Sequence, residues 1–595
     1  MSEQTIQSQD IKVAEVFQAF YVVPDYQREY VWETDQVEQL LTDIYGEMAG
    51  NQAEAAPEYF IGSIVVCPGT DGVLDLIDGQ QRMTTLFLML CAIRDRLGEL
   101  GQPPSGALEP QIAAVSVDAS GVDRFRYRLE LQYEDSGDVL ERIAKEKAEE
   151  AETTTRSTTN IMNAYETVLG FLRQEFAEDA SKLKAFYGYL TNKVKLIRIE
   201  TQDVAKALKI FETINDRGVG LDAMDLLKNL LFMKANREQF DKLKNVWKEL
   251  QDTIYEAGEK PLRFLRYFIF SRYDVDQLRE DEIYTWFAKH EPECGYGSEP
   301  VAFANELLSA ARAYTRFLGG RDEKGDKSPA LENLQLLGGK AARQHLILLL
   351  AGRHLSAPLF DRLAREVENL FFVYVITREN TRDFERNFAR WSKDLRKVKG
   401  EAEFDAFIEK RFVPSKADLA ERFADAFRRL YGFSVQQYRL RYILAKLTQY
   451  IEIEASNENE ITRWLSSYVK GGFEIEHIFP QSPSKEAVEE FGPAEDLEIS
   501  ERIGNLVLVE KPINASLGNG PFSEKRKVYP QSALLLARAV SERPKVGSNT
   551  KINKAVADLE PFEHWNEGAV GRRQEMMRRL ACNVWDVPDK SGSPG

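Results

Sequence analysis

Residues 473–482 read FEIEHIFPQS, and this stretch decides the fold expected for the C-terminal part of the chain. Apolar and charged residues alternate up to His477, which is typical of a half-buried strand. Pro480 marks the end of that strand, because proline has no N–H to donate to a sheet. A second apolar strand, NLVLVE, is expected at 505–510, and the basic, helix-like segment 523–540 follows it. The pattern predicts two strands and a helix.

The polar residues of these elements suit hydrolysis of a phosphodiester. That reaction needs a base for the attacking water and positive charge beside the leaving oxygen. His477 can be the base, because the pKa of a histidine lies near neutrality. Glu476 and Asn514 supply the carboxylate and amide oxygens that Mg²⁺ or another divalent cation prefers. Glu474 is an alternative ligand, and the sequence leaves the choice between the two glutamates open.

This arrangement resembles the HNH, or ββα-metal, nucleases, and most closely the variant at the C-terminus of GmrSD-type proteins. The motifs that carry the resemblance are EHIFPQS at 476–482, GNLVL at 504–508, Asn514, Leu517, Phe522, Lys525 and Tyr529. The resemblance implies that His477 is the general base and that Glu476 and Asn514 bind the metal. It implies that Asn505 holds the loop between the strands by hydrogen bonds, and it places Lys525 in the catalytic set.

A second informative stretch is LIDGQQRMTTL at 76–86, where a strand is expected to end and a helix to begin near Gln80. The free N–H groups of a helix start favour an anion, and glycine lets the backbone approach it. The residues expected to form this anion site are Gly79, Gln80, Gln81, Arg82 and Thr84, and Asp78 could hold a metal or orient water for hydrolysis. Upstream, VPDYQREYVWE at 23–33 adds Gln27 and Arg28 beside aromatic side chains that could grip a base or a sugar.

Together these two stretches resemble the ParB-like N-terminal domain of the GmrSD family. A third block, 210–229, matches that family too and adds Asn215 and Arg217 in a polar loop. The resemblance implies that this domain binds and hydrolyses a nucleoside triphosphate, with GTP the expected one. It further implies that hydrolysis is coupled to DNA cleavage by the distal domain.

Charge along the chain points to where DNA would bind. The net charge is −17, which opposes non-specific binding to nucleic acid. Residues 511–554, however, carry nine Lys or Arg against two Glu, and this basic segment includes Lys525, Arg526 and Lys527. A second candidate DNA contact is a stripe of arginines spaced by four on one predicted helix. Its members are Arg378, Arg382, Arg386 and Arg390.

The overall pattern predicts an α+β, mostly helical fold with three domains. They are a mixed α/β domain at 1–235, a helical domain at 236–455 and the nuclease domain at 456–595. Strands are expected at 59–66, 72–77, 125–131 and 194–199, and a loop or linker at 98–121. No apolar run is long enough to cross a bilayer, and the four cysteines form no C-x-x-C pair, so a bacterial cytoplasmic protein with no membrane partner is expected.

The resulting hypothesis is an NTP-dependent, modification-sensing endonuclease that cleaves double-stranded phage DNA in the manner of type IV restriction enzymes. One alternative is an enzyme of the same build activated by phosphorothioate-modified host DNA. Another is a non-catalytic, ParB-type DNA-binding regulator. The sequence does not tell which modification is sensed or whether one strand or both are cut, and it leaves a homo-oligomer open.

Overall fold

The structure, a computed structural model, describes residues 7–24, 27, 29–49, 56–69, 71–117, 121–133, 136–201, 223–339 and 342–590. Over these residues the protein has an α+β fold in which helices predominate, as predicted. The chain divides into two compact units, formed by residues 1–244 with 290–301 and by residues 245–289 with 302–595. The domain boundaries near 236 and 456 stay predictions.

A six-stranded mixed sheet is the framework of the first unit. The first eight strands are β1 (Gln7–Lys12), β2 (Phe20–Val23), β3 (Tyr59–Pro68), β4 (Val73–Asp78), β5 (Ala113–Val117), β6 (Asp123–Tyr127), β7 (Leu129–Leu131) and β8 (Val194–Glu200). The sheet has the order β1-β8-β3-β4-β2-β7, and β5 and β6 form a separate antiparallel pair. The predicted strands at 59–66, 72–77 and 194–199 are confirmed, whereas the one predicted at 125–131 is divided into β6 and β7, which belong to different sheets. The prediction of a loop or linker at 98–121 is wrong in part, because this region contains β5 and a short helix whose Leu108 and Ile112 are buried.

Helices cover the sheet of the first unit. The helices up to residue 234 are α1 (Val13–Val16), α2 (Thr34–Met48), α3 (Gln80–Glu99), α4 (Leu108–Ile112), α5 (Val139–Ala144), α6 (Arg156–Phe176), α7 (Ala180–Asn192) and α8 (Ala223–Lys234). The next helix, α9 (Arg237–Glu256), begins in the first unit, and its residues 245–256 are assigned to the second. Helix α3 starts at the end of β4 and packs against α6. Its Leu86, Leu90 and Ile93 are fully buried, as their helical spacing predicts.

The second unit is helical up to residue 470, as predicted. Residues 261–470 contain α10 (Pro261–Arg272), α11 (Ile283–Lys289), α12 (Glu291–Cys294, part of the first unit), α13 (Pro300–Leu318), α14 (Pro329–Gly338), α15 (His345–Ala351), α16 (Ala357–Ile376), α17 (Thr381–Leu395), α18 (Glu401–Arg428), α19 (Gln437–Glu454) and α20 (Leu465–Lys470). Aromatic side chains fill the core. Phe372 stacks on Trp585 with ring centroids 3.8 Å apart, so α16 is joined to the C-terminal segment. None of the described helices is long and apolar enough to cross a membrane.

The C-terminal segment contains the predicted strand pair. Its elements are β9 (Phe473–His477), α21 (Lys485–Phe491), β10 (Leu506–Glu510), α22 (Lys511–Leu517), α23 (Phe522–Lys525), α24 (Leu535–Arg538), α25 (Lys551–Ala555) and α26 (Glu567–Val584). Strands β9 and β10 are antiparallel. The segment 523–540 is not one helix. It is divided into α23, a 3₁₀ turn at Tyr529–Gln531 and α24, since Pro530 cannot continue a helix.

Helix α26 fixes the turn that leads into β10. The Gln574 Oε1 accepts a 2.7 Å hydrogen bond from the Gly504 N–H, and the Gln574 Nε2 donates to the Phe427 carbonyl at 2.7 Å. The Arg573 Nη1 donates to the carbonyls of Gly504 and Leu506 at 2.7 and 2.9 Å. Two side chains of α26 therefore hold the start of β10 against the end of α18.

Candidate functional site

The strand pair β9–β10 positions the polar residues of the FEIEHIFPQS stretch. His477 pairs with Leu506 and Glu476 with Val507 across the ladder. Because side chains alternate along a strand, Glu474 and Glu476 leave one face of β9 and His477 leaves the other. Helix α22 follows β10 directly and contacts both strands, which brings Asn514 to the glutamate face.

Glu476 lies in a buried ion pair. Its Oε1 accepts a 2.6 Å hydrogen bond from the Lys525 Nζ and one of 3.3 Å from the Tyr529 hydroxyl. Burial raises the pKa of Glu476, against the lowering effect of Lys525, and burial lowers the pKa of Lys525. The charge of Glu476 is thus compensated by Lys525 rather than left for a cation.

Lys525 is not at the surface where the sequence analysis placed a DNA contact. Its side chain is 1% exposed and also donates to the His477 carbonyl at 2.9 Å. The prediction that Lys525 contacts DNA is corrected for this reason: the ammonium group is held under the strand pair. The next two residues are more accessible than Lys525, since Arg526 is half-buried and Lys527 is exposed, and their contact with DNA stays a prediction.

Asn514 is paired with Glu474. The Asn514 Nδ2 donates to the Glu474 Oε2 at 2.7 Å, while the Asn514 Oδ1 is buried and has no hydrogen-bond partner. An unpartnered buried amide oxygen is costly, and a hard cation would satisfy it. Among the described residues no cluster of three or more His, Cys, Asp or Glu side chains could hold a metal. A cation with several water ligands fits the Glu474–Asn514 pair better than Glu476.

His477 faces a carboxylate that the sequence analysis missed. The His477 Nε2 lies 3.4 Å from the Glu501 Oε1, and both side chains are 20% exposed. The Gln481 side chain also donates to Glu501. Burial lowers the pKa of His477, Glu501 raises it and Lys525 lowers it further. Glu501 follows His477 by 24 positions in an unremarkable SER triplet, and no local pattern would have singled it out.

Asn505 ties the loop between the strands. Its Oδ1 accepts from the Phe479 N–H at 2.8 Å and from the Trp565 Nε1 at 3.0 Å. Its Nδ2 donates to the carbonyls of Phe479 and Ser500, both at 2.8 Å. Asn505 is fully buried, and both its amide oxygen and its amide nitrogen are hydrogen-bonded, which is what a residue that holds this loop requires. They leave it no free polar atom for substrate.

The sequence predicts that His477, Glu476 and Asn514 surround one cation. In the structure, each of the three is paired with a different residue. His477 faces Glu501, Glu476 binds Lys525, and Asn514 binds Glu474. No hydrogen bond or ion pair joins the side chains of these three residues to one another. A shared site formed by all three stays a prediction.

The N-terminal motif forms a strand-to-helix turn, as predicted. Asp78 ends β4, Gly79 has a positive φ of 86°, and α3 begins at Gln80. A Cβ on Gly79 would lie 2.6 Å from the Ile64 side chain, so glycine is required there for space and for conformation. Burial raises the pKa of Asp78 against the lowering effect of Arg82, whose Nη1 donates to the Ser63 carbonyl at 2.5 Å.

Gln81 joins the two N-terminal motifs. Its Oε1 accepts from the Val31 N–H at 2.8 Å, and its Nε2 donates to the Glu29 carbonyl at 2.8 Å. The Thr85 Oγ1 bonds to the Tyr30 hydroxyl at 2.8 Å. The two motifs that were recognised separately in the sequence are therefore neighbours in space.

The remaining predicted nucleotide contacts divide into three groups. Thr84 is 2% exposed, so its hydroxyl is turned into the protein and the prediction that it contacts a phosphate is corrected. The Gln27 Nε2 and the Gln80 Oε1 are buried without hydrogen-bond partners, which makes both available to a ligand. The predictions for Arg28, Asn215 and Arg217 lie outside the described residues.

The arginine stripe is shorter than predicted. Helix α17 begins at Thr381, capped by Asn380, and Arg378 precedes it in the turn after α16 with a positive φ of 56°. Arg378 therefore does not lie on the helix. The Arg390 Nε bonds to Asp276 at 2.7 Å, and Arg386 lies against the Gln277 amide. Arg382 stays exposed.

Comparison with protein families assigns both ends of the chain. A model described as the N-terminal domain of the GmrSD restriction endonuclease matches residues 4–232. A model described as the C-terminal domain of GmrSD restriction endonucleases matches residues 417–580. The second match contains the strand pair and the Glu474, Glu476, His477 and Asn514 side chains. No curated protein matches the chain.

Proposed function

Since the chain belongs to the GmrSD restriction endonuclease family, and its substrate is therefore DNA, we propose that it is an NTP-dependent endonuclease that acts on modified phage DNA. The observation that carries the proposal is the arrangement of polar groups around β9, where His477 and Glu474 lie on one short strand and Asn514 of α22 is paired with Glu474. A cytoplasmic role in defence against phage follows from this activity.

His477 acts as the general base in the proposed reaction. Its lowered pKa keeps the ring neutral at pH 7, so that it can accept a proton from water. Glu501 faces Nε2 and favours the tautomer with the proton on that nitrogen, which leaves Nδ1 as the acceptor. Glu501 is thus a positioning residue, and the Gln481 amide helps to hold it.

Glu474 and Asn514 would hold the divalent cation, expected to be Mg²⁺. The unpartnered Asn514 Oδ1 and the half-buried Glu474 carboxylate supply two hard oxygen ligands. A cation bound there would compensate the negative charge that develops during phosphodiester cleavage. The Glu476–Lys525 pair supports β9 from beneath and is assigned no chemical step.

A nucleoside triphosphate, expected to be GTP, would bind at the turn between β4 and α3. The start of the 20-residue helix α3 offers free N–H groups, and Gly79 allows close approach of a phosphate. The unpartnered Gln27 Nε2 and Gln80 Oε1 are two further polar atoms available to the nucleotide. Its hydrolysis would be coupled to cleavage by the second unit.

A plasmid cleavage assay tests the nuclease proposal. We expect cleavage of modified DNA with Mg²⁺ and GTP, none in excess chelator, and much slower cleavage of unmodified DNA. The variant Asn514→Ala should lose activity because it removes an oxygen ligand, whereas Asn519→Ala, an exposed amide on the following loop, should keep it. Undiminished cleavage by Asn514→Ala, or cleavage that survives chelation, would contradict the assignment.

A further inference from the structure

The second unit contains an arginine-lined cavity that is separate from the strand pair β9–β10. It has a volume of about 800 Å³, within the range of small-ligand sites, and lies between the ends of α16 and α18 and the start of α19. Its charged lining residues are Arg378, Arg422, Arg429, Arg439 and Asp425. Four guanidinium groups against one carboxylate make it strongly cationic.

Most of this positive charge is not neutralised internally. Within the described part of the chain, Arg378, Arg429 and Arg439 have no carboxylate partner within ion-pair distance, whereas Arg422 pairs with Glu379 at 2.5 Å. Asp425 is itself paired with Arg428 at 3.1 Å, outside the lining. The cavity is therefore suited to an anion, and guanidinium groups bind phosphate in a bidentate way.

An aromatic side chain stands at the wall of the cavity. Phe433 is 63% exposed, unusual for phenylalanine, and is held upright by stacking on Tyr431 with centroids 5.3 Å apart and planes 19° apart. Tyr431 is in turn fixed by its hydroxyl, which donates to Asp496 at 2.9 Å. A rigid, exposed aromatic face beside arginines is the surface on which nucleic acid bases stack.

The backbone of Arg378 is a second sign of function. Its φ of 56° follows the end of α16, a position where glycine is favoured because other side chains are strained there. An arginine at this position costs conformational free energy. A role for its guanidinium group in binding a ligand would explain why it is there.

The cavity lies next to Glu501, the carboxylate that faces His477. A Cβ on Gly432 would lie only 2.8 Å from the Glu501 Oε2, so the turn that carries Tyr431 and Phe433 touches the carboxylate that faces His477. The turn that carries Phe433 is thus linked to His477 through Glu501.

We propose that this cavity receives a nucleotide displaced from the DNA duplex, with its base stacked on Phe433 and its phosphates on Arg378 and Arg429. The proposal rests on the proposed function only in taking DNA as the substrate. A free nucleoside triphosphate shares the same chemistry and is an alternative occupant that the experiment separates.

Binding can be tested without cleavage, using His477→Ala in chelator and fluorescence anisotropy of labelled duplexes. We expect a duplex with one bulged nucleotide to bind more tightly than a fully paired one, because its unpairing cost is already met. Phe433→Leu should weaken bulge binding about 5- to 100-fold, and Phe433→Trp should retain it. Failure of the nuclease proposal would appear separately, as absent cleavage by the unmodified chain that still binds the bulge.

Two arginine variants test the anion contacts. Arg378→Gly should preserve or raise thermal stability, since it relieves the positive φ, and yet lower DNA affinity and reduce the salt slope by about 0.9 per phosphate contact. Arg429→Ala should likewise lower DNA affinity and the salt slope, whereas Arg362→Ala, a half-buried arginine on α16 that pairs with Glu401 and Asp405, should leave both unchanged. Equal binding of both duplexes, unaffected by Phe433→Leu, would overturn the proposal. Displacement of DNA by free GTP, abolished by Arg429→Ala, would assign the cavity to free nucleotide and overturn it too.

Discussion

At the scale of single residues, two opposing effects act on the pKa of His477: burial lowers it, and the Glu501 carboxylate raises it. Burial dominates, and the pKa is below that of a free histidine. Cleavage should therefore rise with pH below about 6.5 and stay level between pH 7 and 8. His477→Ala should lose the factor of about 10²–10⁴ that a positioned base supplies.

Glu501→Gln provides the sharper test of this pair. It removes the charge that raises the His477 pKa, so the acid limb of the cleavage profile should move to lower pH while the plateau falls less than in His477→Ala. Glu501→Asp should recover part of the plateau. A lower plateau with an unmoved limb would show that Glu501 only supports the local structure.

A second histidine makes the stability of the protein depend on pH. His345 is 3% exposed, packs against Phe371 at 5.1 Å, and has an unpartnered Nδ1. Burial, with a smaller effect of Arg343, lowers its pKa to about 3. Because the folded pKa lies below the unfolded value of about 6.5, its contribution is complete above pH 6.5 and is lost as pH falls, by about 2 kcal/mol at pH 5.

Urea unfolding of the chain and of His345→Leu, followed by tryptophan fluorescence from pH 5 to 8, would measure this effect. The difference between the two midpoints should change steadily below pH 6.5, and the variant should be the less pH-sensitive protein. Parallel curves across the whole range would contradict a neutral buried imidazole.

The residue scale is also where the sequence was least informative. The motif predicted which residue types matter, but both glutamates leave the same face of β9, and the packing of other elements decides that Glu476 meets Lys525 and Glu474 meets Asn514. Glu501 and the exposed Phe433 lie in segments without a pattern. Such pairings depend on long-range packing, which no local spacing encodes.

At the scale of elements, the GNLVL motif is explained by its contact with α26. A Cβ on Gly504 would lie 2.5 Å from the Val570 carbonyl and 2.8 Å from the Gln574 nitrogen, both backbone atoms. Gly504→Ala should therefore destabilise the second unit by about 1–3 kcal/mol and reduce cleavage, since the turn also carries Asn505. Gly571→Ala, in α26 with nothing within 4 Å, is the matched control and should stabilise by up to about 1 kcal/mol.

Thermal melting and plasmid cleavage of the two glycine variants would be compared side by side. If Gly504→Ala melted with the unaltered chain, the close contact with α26 would be of no energetic consequence.

Elements were predicted well where periodicity is strong and poorly where it is interrupted. The alternating β9, the apolar β10 and the amphipathic α17 follow directly from hydrophobic spacing, and Phe384, Phe388 and Trp391 of α17 are buried. β1 and β2 were missed because they are short or polar. The arginine stripe failed at Arg378 because the Asn380 cap starts the helix later than the four-residue spacing suggested.

At the scale of the whole molecule, the proposed function assigns nucleotide hydrolysis to the first unit and DNA cleavage to the second. His477→Ala should slow DNA cleavage by the factor given above while leaving GTP hydrolysis intact. Gln81→Ala should impair GTP hydrolysis and GTP-dependent cleavage together, because Gln81 holds the 29–32 segment on α3. Phosphate release and plasmid cleavage would be measured on the same preparations. Equal loss of both activities in folded His477→Ala would contradict the division.

The hydrogen bonds between α26 and the turn before β10 affect how the gene sequences of related proteins should be interpreted. A nonsense mutation anywhere between codons 530 and 566 would leave every recognisable nuclease signature in the reading frame, yet delete Arg573 and Gln574. The encoded fragment would pass a motif search and still lack the two side chains that brace its reaction centre. An intact signature in a shortened homologue is thus a poor guide to whether that homologue cleaves DNA.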